Sequence, residues 1–299
     1  MSGAGRGALA VDIGGTTTRV ARLHGDRLLE RREMPTGAHT GPDDLLGRLL
    51  ALIAGLGPVD AGEPLGVACT GRVHSGRVTA VNRATMPGWT DLPLQDWLEE
   101  ALHVPISVLN DAKAAAIAEW RAQPQDRRGN FMFVTVSTGI GSGLVLGGRL
   151  HEAPGGQDIG LGFTSGPDGE TLEHRASGTA LRRVAQAEGY PDVAALFDAA
   201  ESGSGTAQEL LVPALSALAR RLWDAHCLLG LDVVCLGGSI GLRGYTQAFL
   251  QAALTGPSAP AIRAAVHGAD AGLIGAALYA RGQLRCTDAL SSPSSGGPW

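Results

Sequence analysis

Asp12-Ile13-Gly14-Gly15-Thr16-Thr17 closes an apolar run, Ala8 to Ile13, and opens a second β-rich run, Thr17 to Leu23. An acid ends a buried strand, two glycines turn the chain, and hydroxyls follow. Glycine lets backbone N–H groups approach a phosphate, and threonine hydroxyls add donors. A carboxylate at this point can hold Mg²⁺, directly or through water. The stretch is not a Walker P-loop, because no Gly-Lys-Ser/Thr follows and the next element is a strand. Its plainer reading is a hairpin turn. Arg27 to Met34 continues as a third strand after His24-Gly25-Asp26, so the fold opens as a β-meander.

Outward from there, strands and helices alternate. Pro42 to Ala54 reads as a helix, with Leu at 45, 46, 49 and 50. Leu65 to Cys69 is a buried strand ending in Thr70-Gly71, and Arg77 to Val81 another strand. Leu94 to Leu102 is a helix, Pro105 to Leu109 a strand, and Asn110 to Trp120 an Ala-rich helix. Phe131 to Val136 and Gly143 to Leu150 are strands flanking a Gly-rich turn, and residues 153–170 read as an irregular loop. Ala207 to Leu229, Tyr245 to Leu254 and Ala271 to Ala280 are helices, with a buried strand at Val233 to Leu236. Cys286 to Trp299 is a Ser/Pro/Gly-rich tail expected to be disordered. Alternation makes the class α/β. The order β-β-β-α-β recurs loosely from Phe131, which implies two similar lobes around a ligand cleft.

Three further motifs carry possible chemistry. Ser137-Thr138-Gly139-Ile140-Gly141-Ser142-Gly143 superficially matches a dinucleotide loop, but such a loop must open a helix. Here a strand follows, which favours a second phosphate-binding hairpin over NAD. Asn110-Asp111, at a strand-to-helix switch, is either an N-cap or a cap plus a general base projecting into the cleft. Leu236-Gly237-Gly238-Ser239-Ile240-Gly241 can pass close to an adenine or ribose, or simply turn the chain.

Composition narrows the classes. Hydrophobic residues are 44% of the 299 and charged residues 18%, enough for a sizeable core. A net charge of −5 with no basic stripe disfavours nucleic acid as partner. No run has the length of a membrane span, and Met1 to Gly7 is not a leader, so a cytoplasmic protein is expected. Cys69, Cys227, Cys235 and Cys286 are far apart and read as free thiols.

In this order the stretches AVDIGGTTTRVA, VACTGRV, TMPGW, VLNDAKAAAIAEW, VTVSTGIGSGLVLGGRL, LEHRASG, VVCLGGSIG and DAGLIGAAL resemble the ROK family of sugar kinases, from about Ala8 to Gly282. The resemblance implies an actin-like ATPase (ribonuclease H-like) fold. Residues 1–110 would form one lobe, joined by the C-terminal helix 271–282, and residues 111–270 the other. It implies ATP and Mg²⁺ as cofactors, a small-molecule sugar substrate and a homodimer. Phosphoryl transfer would go to a hexose or N-acetylhexosamine 6-hydroxyl, with N-acetylmannosamine the best match. A glucokinase-type kinase and a non-catalytic sugar sensor are the alternatives. Family repressors carry an N-terminal helix-turn-helix, which this chain, starting at its first strand, is expected to lack.

By the same resemblance Asp111 is the catalytic base and Asn110 a sugar ligand. Asp12, Gly14, Gly15, Thr16 and Thr17 hold phosphates and Mg²⁺, Thr138 and Gly139 form the second phosphate turn, and Gly237, Gly238 and Ser239 border the adenosine. Gly71 and Glu173 line the sugar pocket. The chain departs from the pattern at Thr85, where the family has Asn. It departs again at Asp158 and Leu161, where an acid and a His contact the sugar. The family's zinc knuckle has no counterpart, because no Cys lies between Cys69 and Cys227. A structural zinc is therefore not expected, and the loop Gly162 to Leu172 needs local hydrogen bonds to hold it.

Overall fold

The structure, a computed structural model, describes residues 7–37, 41–81, 86–125, 128–153 and 160–282. Its first sheet starts with an antiparallel meander of β1 (Gly7–Ile13), β2 (Thr17–His24) and β3 (Arg27–Pro35). After helix α1 (Pro42–Ala54), strand β4 (Leu65–Cys69) pairs with β1 in parallel. A small ribbon of β5 (Arg72–His74) and β6 (Arg77–Thr79) follows, then α2 (Leu94–Leu102) and β7 (Ile106–Asn110), which pairs with β4. The strand order is β3-β2-β1-β4-β7.

Helix α3 (Asp111–Ala122) leads to the second sheet, where β8 (Phe131–Val136), β9 (Ile140–Leu146) and β10 (Arg149–Leu150) repeat the meander. Four helices come next: α4 (Leu172–Ala176), α5 (Gly178–Ala187), α6 (Val193–Glu201) and α7 (Gly205–Leu229). Strand β11 (Val233–Gly237) then joins β8 in parallel, followed by α8 (Gly238–Gly241), α9 (Gly244–Ala253), β12 (Ala261–Ala264) and α10 (Ala271–Ala280). The order β10-β9-β8-β11-β12 copies the first sheet's plan, so the repeat read in the sequence is present in both sheets.

Three apolar clusters set the layers. One packs α1 and α2 on the outer face of the first sheet, and another packs α4–α7 and α9 on the outer face of the second. The third lies between the sheets, around α3 and α10. Glycine makes that middle layer thin. A Cβ on Gly66 of β4 would stand 2.0 Å from the Ala276 carbonyl oxygen of α10. On Gly275 of α10 it would stand 1.7 Å from the Ala114 carbonyl oxygen of α3, and on Gly143 of β9, 2.5 Å from that of Ala112. Backbone therefore rests on backbone at three successive interfaces, where any side chain would force the layers apart. Glu119 of α3, wholly buried, accepts hydrogen bonds from the backbone of Val266 and His267 at 2.9 Å each, which fixes the entry to α10.

The second meander differs from the sequence reading. Strand β9 begins at Ile140 rather than Gly143, so the turn shrinks to Ser137-Thr138-Gly139. Gly141 and Gly143 are strand residues whose missing side chains admit α3. Three further helices, α4, α5 and α6, are short and start at side-chain caps, Thr171, Ser177 and Asp192. The stretch from Thr164 to Leu172 is a small hairpin. Ser165 bridges Thr171, Leu172 N–H donates to the Thr164 carbonyl at 2.8 Å, and Gly166 N–H to that of Glu170 at 2.9 Å. Arg175 pairs with Asp168 across its turn. Local bonds thus shape the loop. Cys69, Cys227 and Cys235 are free thiols. Among the described residues no helix is long and apolar enough to cross a membrane. The tail Cys286 to Trp299 lies outside the described residues.

Candidate active site

A cleft of about 440 Å³ opens where the carboxyl ends of β1, β4 and β7 face the β8–β9 hairpin and helices α4 and α5. Parallel strands release their loops at that end, a favoured place for ligands. Gly15, Thr16, Gly71, Asn110, Asp111, Thr138, Gly139 and Glu173 all line it, so the structure brings these sequence-read residues together.

The first hairpin turns at Gly14, whose N–H donates to the Thr17 carbonyl at 3.1 Å. Thr36, at the end of β3, locks it. Thr36 N–H donates to the Thr16 carbonyl at 2.9 Å, and Thr36 Oγ1 to that of Gly14 at 2.7 Å. Asp12 sits below, 9% exposed. Burial pushes its carboxyl up to about 7, and repulsion from Asp111 adds to this. Arg19, 3.5 Å away, opposes the rise only in part. Thr17 is a strand residue of β2 and does not line the cleft.

Asn110 caps α3. Its Oδ1 accepts from Ala112 and Lys113 N–H at 2.9 and 3.2 Å, and its Nδ2 donates to the Gly71 carbonyl at 3.0 Å. The cap therefore leaves Asn110 at the cleft wall, with one amide hydrogen beyond these bonds. Asp111, the next residue, opens the helix, and its Oδ1 accepts from Ala112 N–H at 2.8 Å. Gly71 has φ 114°, and a Cβ there would meet the Thr79 carbonyl at 2.8 Å. Only glycine makes this bend without strain.

The second hairpin is held by helices. Gly178 N–H donates to the Ser137 carbonyl at 2.6 Å, and Thr179 Oγ1 to that of Thr138 at 2.9 Å. Glu173 Oε2 accepts from Ile140 N–H at 2.9 Å. Glu173 is thus both a cleft residue and a strut. Thr179 is a cleft residue that sequence reasoning missed; the signal was the helix-capping Ser177-Gly178 just before it.

Beyond Thr138 a second recess of about 260 Å³ is lined by Phe197, Ser239, Ile240, Arg182 and Arg243. Gly237 and Gly238 do not line it. A Cβ on Gly237 would strike the Phe133 ring at 2.6 Å, and on Gly238 the Val136 carbonyl at 2.4 Å. Their role is to let β11 turn tightly beside β8, while Ser239 faces the recess.

The sugar-side readings divide. Thr85 and Asp158 lie outside the described residues. Leu161 is 6% exposed and belongs to the core of the second sheet, so it does not replace a polar contact in the cleft. The residues of that turn that line the cleft are Gly160 and Phe163.

These residues fit a nucleotide with a divalent cation. The hairpin glycines bring backbone to the cleft, and the carboxylates of Asp12 and Asp111 lie close enough for their charges to repel.

The ROK family model matches residues 8–283. The chain is 37% identical over 290 residues to an N-acetylmannosamine kinase of Yersinia pestis, covering 92% of this chain and 99% of that one. It is also 37% identical over 276 residues to a bifunctional enzyme NanE/NanK of Brucella melitensis, covering 90% of this chain but 53% of that relative's length. The crystal structure of a ROK hexokinase from Thermus thermophilus superposes with a TM-score of 0.77 at 32% identity, over 91% of this chain and 97% of that one. The architecture is that of the actin-like ATPases.

Proposed function

The chain belongs to the ROK family, it is an ATP-dependent sugar kinase, and we propose that N-acetylmannosamine, taken at its 6-hydroxyl, is its acceptor. The observation that carries the chemistry is Asp111 at the head of α3, in one cleft with both glycine hairpins. The acceptor rests on the Yersinia pestis relative, matched over nearly its whole length.

In this reading Asp111 accepts the proton of the sugar hydroxyl as its oxygen attacks phosphorus. Asn110 and Glu173 orient the sugar through hydrogen bonds. Backbone N–H groups around Gly14, Gly15 and Gly139, with the hydroxyls of Thr16 and Thr138, receive the phosphates. Asp12 is the Mg²⁺ residue, through water. Mg·ATP, when bound, supplies the transferable phosphoryl group and neutralises its charge. The recess beside Ser239 takes the adenosine. Residues 1–110 with 271–282 form one lobe and 111–270 the other, and their closure excludes water. The protein acts in the cytoplasm as a homodimer, without a structural zinc.

The test is an ADP-release panel with N-acetylmannosamine, N-acetylglucosamine, glucose and mannose. The reading expects the highest kcat/KM with N-acetylmannosamine. Glucose in first place would make the protein a glucokinase-type enzyme, and sugar binding with no turnover would make it a sensor.

A further inference from the structure

Among the described residues eight large apolar side chains are exposed, and two of them line the cleft: Phe163 at 54% and Val81 at 57%. They come from distant parts of the chain, Val81 just beyond β6 and Phe163 from the turn before the Thr164–Leu172 hairpin. Single exposed apolar residues are ordinary. Two on the walls of a cavity that also carries carboxylates, amides and hydroxyls, with Ala80, Met86 and Ile140 as further apolar lining, are a feature of the site, because pockets pair apolar walls with a few placed polar groups.

Phe163 is also held in place. Leu161, two residues earlier, is anchored in the core. Gly162 presses on β9, where a Cβ would stand 2.6 Å from the Ile140 carbonyl oxygen. Phe163 N–H donates to the Gly160 carbonyl at 2.9 Å, and Thr164 Oγ1 to that of Leu161 at 2.7 Å. A fixed turn thus places an aromatic side chain on the cleft wall. Fixing its backbone beforehand removes that part of the ordering cost of binding.

We propose that Phe163, with Val81 of the same cleft, covers the methyl group of an N-acetylated acceptor, and that Phe163 sets the preference for acetamido sugars over plain hexoses. The inference rests on the acceptor reading above. N-acetylmannosamine and mannose differ only at C2, where one carries an acetamido group and the other a hydroxyl. Asn110, Asp111 and Glu173 can treat the shared hydroxyls alike. The methyl is the one added apolar group, and an aromatic wall is the surface that favours it.

The experiment measures kcat/KM for both sugars in the wild type, Phe163→Ala and Phe163→Leu. Phe163 lies outside every core cluster, so both variants should fold. One methyl in an apolar pocket is worth about 10–200-fold in discrimination, so the ratio of N-acetylmannosamine to mannose should fall at least about tenfold in Phe163→Ala. Phe163→Leu keeps an apolar wall and should hold the ratio within about threefold of wild type, with the KM for ATP unchanged in both. An unchanged ratio in Phe163→Ala, or an equal loss with both sugars, overturns the inference while leaving the kinase reading intact. A wild type that turns over neither sugar fails differently, at the acceptor reading itself.

Discussion

Thr36 holds the first hairpin of the cleft floor from within its own sheet, whereas α4 and α5 hold the second from outside. The two turns occupy matching places in sheets of the same plan. The first is complete within some two dozen residues of continuous chain. The second depends on Glu173, Gly178 and Thr179, which are inserted after its meander has ended. What differs is coupling. Thr36, which locks the first hairpin, does not line the cleft, but Glu173 supports the second hairpin and lines the cleft as well. Donor and acceptor halves should therefore communicate through one carboxylate on one side of the cleft only.

Asp111 belongs to neither hairpin and sets the scale. Asp111→Asn should lower kcat by about 10²–10⁴-fold in an ADP-release assay, with the KM for ATP nearly unchanged. A loss under about tenfold would remove Asp111 as the base. Asp12 tests the first hairpin next. Its carboxyl binds a proton more tightly in the fold, at about 7, than in the unfolded chain, near 3.8. Ligand-free stability should therefore be favoured below about pH 4 and decline as pH rises through 7, by a few kcal/mol. Chemical unfolding of Asp12→Asn should lack that slope, and the variant should lose activity.

The coupling itself is tested by a pair. Glu173→Ala should raise KM for ATP and for sugar together, each by about tenfold, the cost of one charged hydrogen-bond acceptor. Thr36→Val should raise KM for ATP alone. Equal behaviour of the two variants would erase the distinction between the hairpins. The smallest effect is expected at Arg175→Ala. Its pair with Asp168 is exposed on both sides, so the change should cost no more than about 1 kcal/mol, or a few degrees of Tm. A larger drop would mean that the ion pair, rather than the backbone bonds, shapes the Thr164–Leu172 hairpin.

The contrast also explains what was legible in the sequence. Asp12 to Thr17 is contiguous, so strand, turn and strand could be read together, and Ala271 to Ala280 emerged with its observed bounds. Gly141 was misread as a turn residue, because a glycine cleared for a crossing helix looks the same as one that bends the chain. Leu161 was assigned to the cleft by its place in a motif, yet its side chain turns to the core and leaves Phe163 outside. The bond from Ile140 to Glu173 spans 33 residues, and no local pattern encodes it. Short elements such as α4 and β12 carry too few residues to show a period.

The glycine-lined middle layer has one more consequence. Interlocked side chains mesh like gear teeth and resist rotation, whereas bare backbone at Gly275 and Ala114 gives a smooth bearing. If the halves of the molecule turn on each other as the two-lobe reading requires, that crossing is the fulcrum and the cleft mouth the far end of the lever. A methyl added at Gly275 would act as a shim, and its effect would be felt as a change in gape at the rim where Val81 and Phe163 line the cleft.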